Sequence, residues 1–131
     1  MLRTQYLLAF LIYYVLAETR IQKAEVGQRV VLDIGQYVSR WRRVRDYETD
    51  EFIRHCSEFE TEESCQGFVN DDGEPVEPPS NAYVDENGRL IFHSFLETDA
   101  GFYMSPDEKA VEGFFPLDKN RKTFISLEVM K

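Results

Sequence analysis

The residues best suited to chemistry are two histidines, two cysteines and a large number of carboxylates. His55 and His93 are the only histidines. His93 stands between Phe92 and Ser94 in a strand-like segment, where a packing or exposed role suits it better than that of a general base. The sequence has no Gly-x-Ser-x-Gly elbow, phosphate-binding loop or His-Glu-x-x-His helix. The sequence therefore predicts that the protein is not an enzyme and needs no cofactor.

The first seventeen residues have the features of a secretory signal. Arg3 supplies a short positive start, an apolar run follows over residues 6–16, and Ala17 offers a small residue for cleavage. The run is shorter than the roughly 20 residues that a transmembrane helix needs, and an uncleaved signal anchor is the alternative. We predict a signal peptide over 1–17 and one secreted, extracellular domain over 18–131.

The chain is strongly acidic. It contains 24 Asp and Glu against 15 Lys and Arg in 131 residues, a net charge of −9. This charge argues against nucleic acid and anionic membrane surfaces as partners. We expect a soluble protein with no stable membrane insertion after the signal is cleaved.

The two cysteines, Cys56 and Cys65, predict a disulfide. An even number of cysteines in a secreted protein favours pairing. The bridge would close a loop over residues 57–64 and stabilise the fold by about 2–3 kcal/mol. A zinc site needs four ligands and only His55 stands nearby, while the acidic loop 70–81 lacks the ligand order of an EF-hand. We predict no metal site.

The segment that follows Asn87-Gly88 carries the most specific structural signal. Asn-Gly favours a tight turn, and Leu90 and Phe92 then have the period-two spacing of a strand with one buried face. Further strands are predicted before this segment and over residues 123–129. The sequence therefore predicts an all-β domain made of short strands.

The strand of Leu90 and Phe92 is followed by Asp99-x-Gly101-x-Tyr103. An Asp and a Gly two residues apart suit a turn in which the carboxylate caps backbone N–H groups, and Tyr103 can return its hydroxyl to an upstream backbone group. The pattern resembles the E–F corner of immunoglobulin-like domains, tyrosine corner included. The resemblance extends over residues 21–130 and implies an immunoglobulin-like two-sheet Greek-key sandwich.

The resemblance also implies a core without its usual disulfide. Gly27-x-x-Val30-x-Leu32-x-Ile34 resembles strand B, whose last position normally holds a core cysteine, and the partner position is Ser105. Trp41 matches the tryptophan of strand C. It is expected either in the core, after a tight hairpin through Gly35-Gln36, or on the surface of a basic strand.

Four arginines crowd this predicted strand C in an otherwise acidic protein: Arg40, Arg42, Arg43 and Arg45. They are interpreted either as solvated charges that guard a strand edge or as a patch that faces an anion.

The resemblance implies a binding function. Secreted one-domain members of the immunoglobulin superfamily act as ligands, decoys or adhesion factors, so we expect recognition of a cell-surface or extracellular protein. Phe114 and Phe115 lie in the long F–G connection, where recognition members make contacts, and are candidate partner contacts or packing residues. A homodimer through an edge strand is a further option. The alternative function is a small carrier of an apolar ligand, in a β-barrel or sandwich pocket.

Overall fold

The structure is a computed structural model that describes residues 18–46, 49–109 and 122–131. The predicted signal peptide over 1–17 and the pair Phe114 and Phe115 lie outside the described residues. The described residues form eight strands: β1 (Glu18–Ala24), β2 (Val30–Leu32), β3 (Arg40–Val44), β4 (Asp50–Arg54), β5 (Ala82–Val84), β6 (Leu90–Phe92), β7 (Gly101–Met104) and β8 (Thr123–Val129). A short helix, α1 (Glu63–Gln66), and a 3-10 turn (Glu97–Asp99) complete these elements.

The strands form two sheets. The larger has the order β1-β8-β7-β3-β4 and the smaller has the order β2-β6-β5. β1 runs parallel to β8, and the other pairs are antiparallel. The addition of β4 to a sheet of β8, β7 and β3 is the variable-type arrangement of the immunoglobulin sandwich. The predicted all-β, two-sheet fold is confirmed. Among the described residues, no helix has the length and apolar character required to cross a membrane.

The space between the sheets is filled by large side chains. The fully buried ones include Trp41, Tyr103, Phe92, Phe95, Leu32 and Leu90. The indole Nε1 of Trp41 donates a hydrogen bond to the carbonyl oxygen of Gly88 at 2.9 Å. Gly88 has a positive φ of 84°, and a Cβ there would lie 2.6 Å from the backbone nitrogen of Val38. The Asn-Gly turn therefore requires glycine on both conformational and steric grounds.

Trp41 is a core residue, but the tight hairpin proposed to precede it is wrong. β2 and β3 belong to different sheets, so residues 33–39 cross from one sheet to the other. Gly35 does turn the chain there, with φ of 79° and its N–H bonded to the Asp33 carboxylate at 2.8 Å. Sequence spacing suggested a hairpin because it does not reveal which strands become neighbours.

The two positions matched to the missing cysteines are both buried. Ile34 is 6% exposed and Ser105 is 3% exposed. The Ser105 hydroxyl donates to the carbonyl oxygen of Arg40 at 2.6 Å and accepts from the N–H of Asp107 at 3.1 Å. These bonds remove the penalty that a buried unpaired hydroxyl would carry.

The E–F corner is built from Asp99, Gly101 and Tyr103. Asp99 is fully buried, and its carboxylate accepts hydrogen bonds from the N–H of Leu96, at 2.9 Å, and from the hydroxyl of Ser80. The Tyr103 hydroxyl donates to the carbonyl oxygen of Asp99 at 2.5 Å. A Cβ on residue 101 would lie 2.7 Å from the carbonyl oxygen of Val44, so this close approach of two strands requires glycine.

Arg43 connects this corner to the neighbouring strands. Its side chain is fully buried, and its Nε donates to Glu51 at 2.7 Å. One terminal nitrogen, NH1, donates to the hydroxyls of Ser80 (2.7 Å) and Tyr103 (3.2 Å) and lies 3.5 Å from the Asp99 carboxylate. The guanidinium carbon lies 3.6 Å from the centre of the Phe68 ring. The interpretation of Arg43 as a solvated charge is therefore wrong, because Arg43 lies two residues after Trp41 and faces inward with it.

Arg43→Met should reduce the free energy of unfolding by about 3–5 kcal/mol, since it leaves the buried Asp99 carboxylate without its cation. Urea unfolding followed by Trp41 fluorescence would measure the loss. Arg40→Met is the matched control: Arg40 lies on the same strand, pairs with Asp107 at 3.0 Å and has a side chain 52% exposed. We expect a loss below about 1 kcal/mol for this control. Similar losses in the two variants would contradict the proposed role of Arg43.

The stability of the protein should also fall at alkaline pH because of Tyr103. Burial, partly opposed by the Arg43 charge, raises the pKa of the Tyr103 hydroxyl to about 12 from its ordinary value of 10.0. Stability that depends on the neutral hydroxyl is fully present below pH 10 and is lost as the pH rises toward about 12, on the order of 2–3 kcal/mol in all.

Unfolding of the wild type and of Tyr103→Phe, measured in urea at pH 8 and at pH 11.5, would test this. Phe cannot ionise, so the stability difference between the two proteins should shrink at the higher pH by on the order of 2 kcal/mol. A difference that stays constant with pH would show that Tyr103 ionises as easily in the folded state as in the unfolded chain.

Candidate functional site

The outer surface of the five-stranded sheet is the candidate site, and we call it the front face. Along β3, β4, β7 and β8, buried residues alternate with partly exposed ones. Because successive side chains of a strand point to opposite sides, the partly exposed set faces away from the core. The front face comprises Arg40, Arg42, Val44, Asp50, Phe52, Arg54, Phe102, Met104, Phe124, Ser126 and Glu128.

The strand register places the larger side chains of this face next to one another. Arg42 lies opposite Phe52 on β4 and opposite Met104 on β7. Val44 lies opposite Phe102 on β7. Directly opposed residues have Cβ atoms about 5 Å apart. These side chains therefore form a continuous, mainly apolar strip across three strands.

Two shallow depressions mark the strip. One, of about 400 Å³, is lined by Arg42, Ser105, Pro106, Met104, Lys122 and Phe124. The other, of about 560 Å³, includes Phe102, Ser126 and Glu128 in its lining. Both involve β7 and β8, at the middle of the sheet, and aromatic or methionine side chains contribute to the lining of each.

The charges of the front face are largely neutralised by ion pairs. Arg42 lies 2.9 Å from Asp50, and Arg40 lies 3.0 Å from Asp107. Burial alone would raise the pKa of Asp107, but hydrogen bonds from the side chain and backbone of Arg40 outweigh it and lower that pKa below its ordinary value. Arg42 retains one nitrogen, Nε, without a hydrogen-bond partner among the described residues.

The arginines of β3, and Arg45 directly after it, all form ion pairs within the protein. Arg40 and Arg42 pair on the front face, Arg43 pairs in the core, and Arg45 bonds to both Glu51 oxygens at 2.8 and 2.9 Å. An external anion would have to compete with these carboxylates. The chemistry of the face is therefore that of a contact surface, because aromatic residues, methionine and arginine are enriched in protein interfaces.

The sequence-predicted site residues fall into three places. Ile34, Trp41, Leu90, Phe92, Asp99 and Tyr103 are buried behind the front face, with Gly101 at the corner. Cys56 and Cys65 form a disulfide. Cys65 lies in α1, so the bridge ties the helix to the chain just after β4. Phe114 and Phe115 lie outside the described residues.

The front face itself was missed from the sequence. One sequence signal for it is the alternation of Phe124 and Ser126 with Ile125 and Leu127, which is typical of a strand with two different sides. Phe102 and Met104 carry no comparable signal, because they flank Tyr103 in a segment whose clearest sequence pattern is the corner. Finding the face requires knowing that β8, β7 and β3 are adjacent, which a single sequence does not show.

Comparison with known proteins reveals a likeness in fold. No protein-family model and no curated protein matches the sequence significantly. The structure resembles the extracellular fragment, with its stalk region, of novel immune-type receptor 11 from Ictalurus punctatus, with a TM-score of 0.52 and 16% identity over 87% of this chain and 86% of that chain. It also resembles the extracellular fragment of novel immune-type receptor 10 from the same organism, with a TM-score of 0.50 and 16% identity over 85% and 97%.

Proposed function

We propose that this chain, whose fold is that of an immunoglobulin-like domain, is a secreted binding module that recognises a cell-surface or extracellular protein through its front face. The observation that carries the proposal is the strip of Phe52, Arg42, Met104 and Phe102, with Phe124 beside Met104. It is nearly neutral and partly exposed on a protein whose net charge is −9.

The front face is smaller than one side of a standard protein interface, so other residues are proposed to contribute to the contact. Five strands about 4.8 Å apart and about five residues long present a flat area of roughly 20 by 17 Å. This is about half of the ~800 Å² that each partner contributes to a standard protein interface. In the sequence, Phe114 and Phe115 lie between β7 and β8, which are neighbours in this sheet, and they are proposed to extend the contact surface.

The fold and the N-terminal segment support an extracellular location. The similar structures are described as extracellular fragments of receptors, and residues 1–17 have the composition of a secretory signal. Fold alone does not give function. The proposal therefore depends on the front face, whose residue types suit binding and do not form a catalytic group.

The alternative function, an apolar-ligand carrier, has less support. The strands of the described residues form two separate sheets, and the space between the sheets is occupied by Trp41, Phe92, Phe95 and Tyr103, each with no exposed surface. A ligand pocket between the sheets would require these side chains to move apart.

Binding to a panel of extracellular domains would test the proposal. The full chain would be expressed in cells that secrete proteins, with a C-terminal multimerising tag so that weak contacts gain avidity. Met104→Glu and Phe124→Glu should each reduce a saturable interaction at least tenfold, because each places a charge where the partner would exclude water. Sequencing the N-terminus of the secreted protein should show Glu18.

His93→Glu is the matched control, since His93 is an exposed residue next to β6 of the other sheet; it should leave the interaction unchanged. Circular dichroism and thermal unfolding would establish that each variant is folded. Paired replacement of Phe114 and Phe115 by Ala should weaken the same interaction. If a binder were found whose affinity no front-face variant altered, the proposed site would be wrong.

A further inference from the structure

Phe59 is the most exposed large hydrophobic residue in the described part of the chain, at 90% exposure. It lies in the loop of residues 57–64, which the Cys56–Cys65 disulfide closes, and we call this the clamped loop. A free phenylalanine ring in water is unfavourable by about 1.5–3 kcal/mol relative to a buried one. Nothing in the packing of the described residues accounts for a ring held in this position.

The clamped loop is held in shape by more than its disulfide. The Glu60 carboxylate accepts hydrogen bonds from the N–H of Ser57, at 3.2 Å, and from Arg54, at 2.6 Å. Arg54 also contacts Glu62 at 3.0 Å and the Ser64 hydroxyl at 3.2 Å. The hydrogen bond from Arg54 holds the pKa of Glu60 below its ordinary value. A loop fixed in this way loses little entropy on binding, which is the main cost that preorganisation removes.

A groove of about 540 Å³ lies beside the loop. Its lining comes from the clamped loop, from the end of β4 and from the β5–β6 turn, and includes His55, Glu58, Tyr83, Asp85 and Glu86. Phe59 lies between two lining residues along the chain. The groove shares Arg54 with the front face and is otherwise made of different residues.

The charge of this region selects the kind of partner. Residues 55–88 contain ten carboxylates and no lysine or arginine. Arg54 pairs with both Glu60 and Glu62 and offsets one of their two negative charges, and Arg89 pairs with Asp85 at 2.8 Å. Glu58 and Glu86, both exposed in the groove lining, make no ion pair among the described residues. A partner segment that carried lysine or arginine would therefore find two free carboxylates beside an exposed ring.

We propose that the clamped loop and its groove form a second binding surface, which takes a lysine- or arginine-rich segment of another protein. The cationic side chains pair with Glu58 and Glu86 in the groove. Phe59 packs over the aliphatic part or the guanidinium plane of another basic residue in the partner segment. A ring and a cation attract each other in such a contact. Because this surface has only Arg54 in common with the front face and the test variants leave Arg54 unchanged, either proposal can fail its test without affecting the other.

Selection of random twelve-residue peptides displayed on phage, with the full-length protein as bait, would test this surface. We expect the enriched peptides to contain two or more lysine or arginine residues. Synthetic copies should bind Phe59→Ala at least tenfold more weakly than the wild type and bind Met104→Glu with unchanged affinity. Neutral or acidic consensus peptides, or no enrichment at all, would overturn the proposal.

Two double variants distinguish binding in the groove from a general attraction of basic peptides to an acidic protein. Glu58→Gln combined with Glu86→Gln removes two charges from the groove. Asp71→Asn combined with Asp72→Asn removes two from an exposed loop outside its lining. The first pair should weaken peptide binding several-fold and reduce its salt dependence, whereas the second should change it little. Equal effects of the two pairs would indicate attraction by net charge alone and would contradict a specific groove.

The exposed Tyr37 and the disulfide provide two further comparisons. Tyr37→Ala removes a ring that is 65% exposed elsewhere on the surface and should leave peptide affinity unchanged. Replacement of both Cys56 and Cys65 by Ala should weaken binding several-fold in a protein that circular dichroism shows to be folded, because the loop that carries Phe59 would lose its fixed shape. Full affinity without the disulfide would show that the clamp is unimportant for recognition.

Discussion

The buried guanidinium of Arg43 is the interaction on which the rest of the structure depends. It joins β3 to Glu51 on β4, to Ser80 before β5 and to Asp99 and Tyr103 at the E–F corner. A buried cation carries a large desolvation cost, which charged partners and additional hydrogen bonds must offset. Here two carboxylates, two hydroxyls and the Phe68 ring surround the Arg43 guanidinium. The sheets and the corner can therefore adopt only an arrangement that keeps these partners around it.

This network differs in kind from the inter-sheet disulfide that immunoglobulin-like domains usually contain. A disulfide stabilises mainly by restricting the unfolded chain, whereas the Arg43 network acts only once the folded geometry exists. Ile34 and Ser105 fill the two positions matched to the cysteines, one with apolar volume and the other with a satisfied hydroxyl. The core is therefore completed by packing and hydrogen bonds, and the chain's one disulfide stiffens a surface loop instead.

The inward position of Arg43 also determines what the front face presents. Side chains alternate along a strand, so Trp41 and Arg43 facing inward oblige Arg42 and Val44 to face outward. A shift of one residue in register would expose Trp41 and Arg43 and bury Arg42. The same network that fixes the core therefore fixes the apolar strip at the centre of the front face.

The sequence predicted the features that depend on local pattern. It did not predict the features that depend on which strands become neighbours in a sheet. Asp99, Gly101 and Tyr103 are close in the chain, so their spacing alone indicates a corner, and the bounds of β8 could be read from its alternation. The burial of Arg43 could have been deduced from Trp41, but a cluster of arginines is ordinarily solvated. The front face brings together β3, β7 and β8, which are far apart in sequence and become neighbours only through tertiary structure.

The two proposed surfaces differ in the range over which they act. The front face is nearly neutral, so its contacts are short-range and depend on burial of Phe and Met side chains. The groove beside Phe59 is acidic, and its attraction extends about 8 Å at physiological salt. Two copies of a chain with net charge −9 repel each other, so self-association through the front face would have to overcome that repulsion. A basic partner would instead be drawn toward the protein, and this asymmetry favours a heterologous partner over a second copy of the chain.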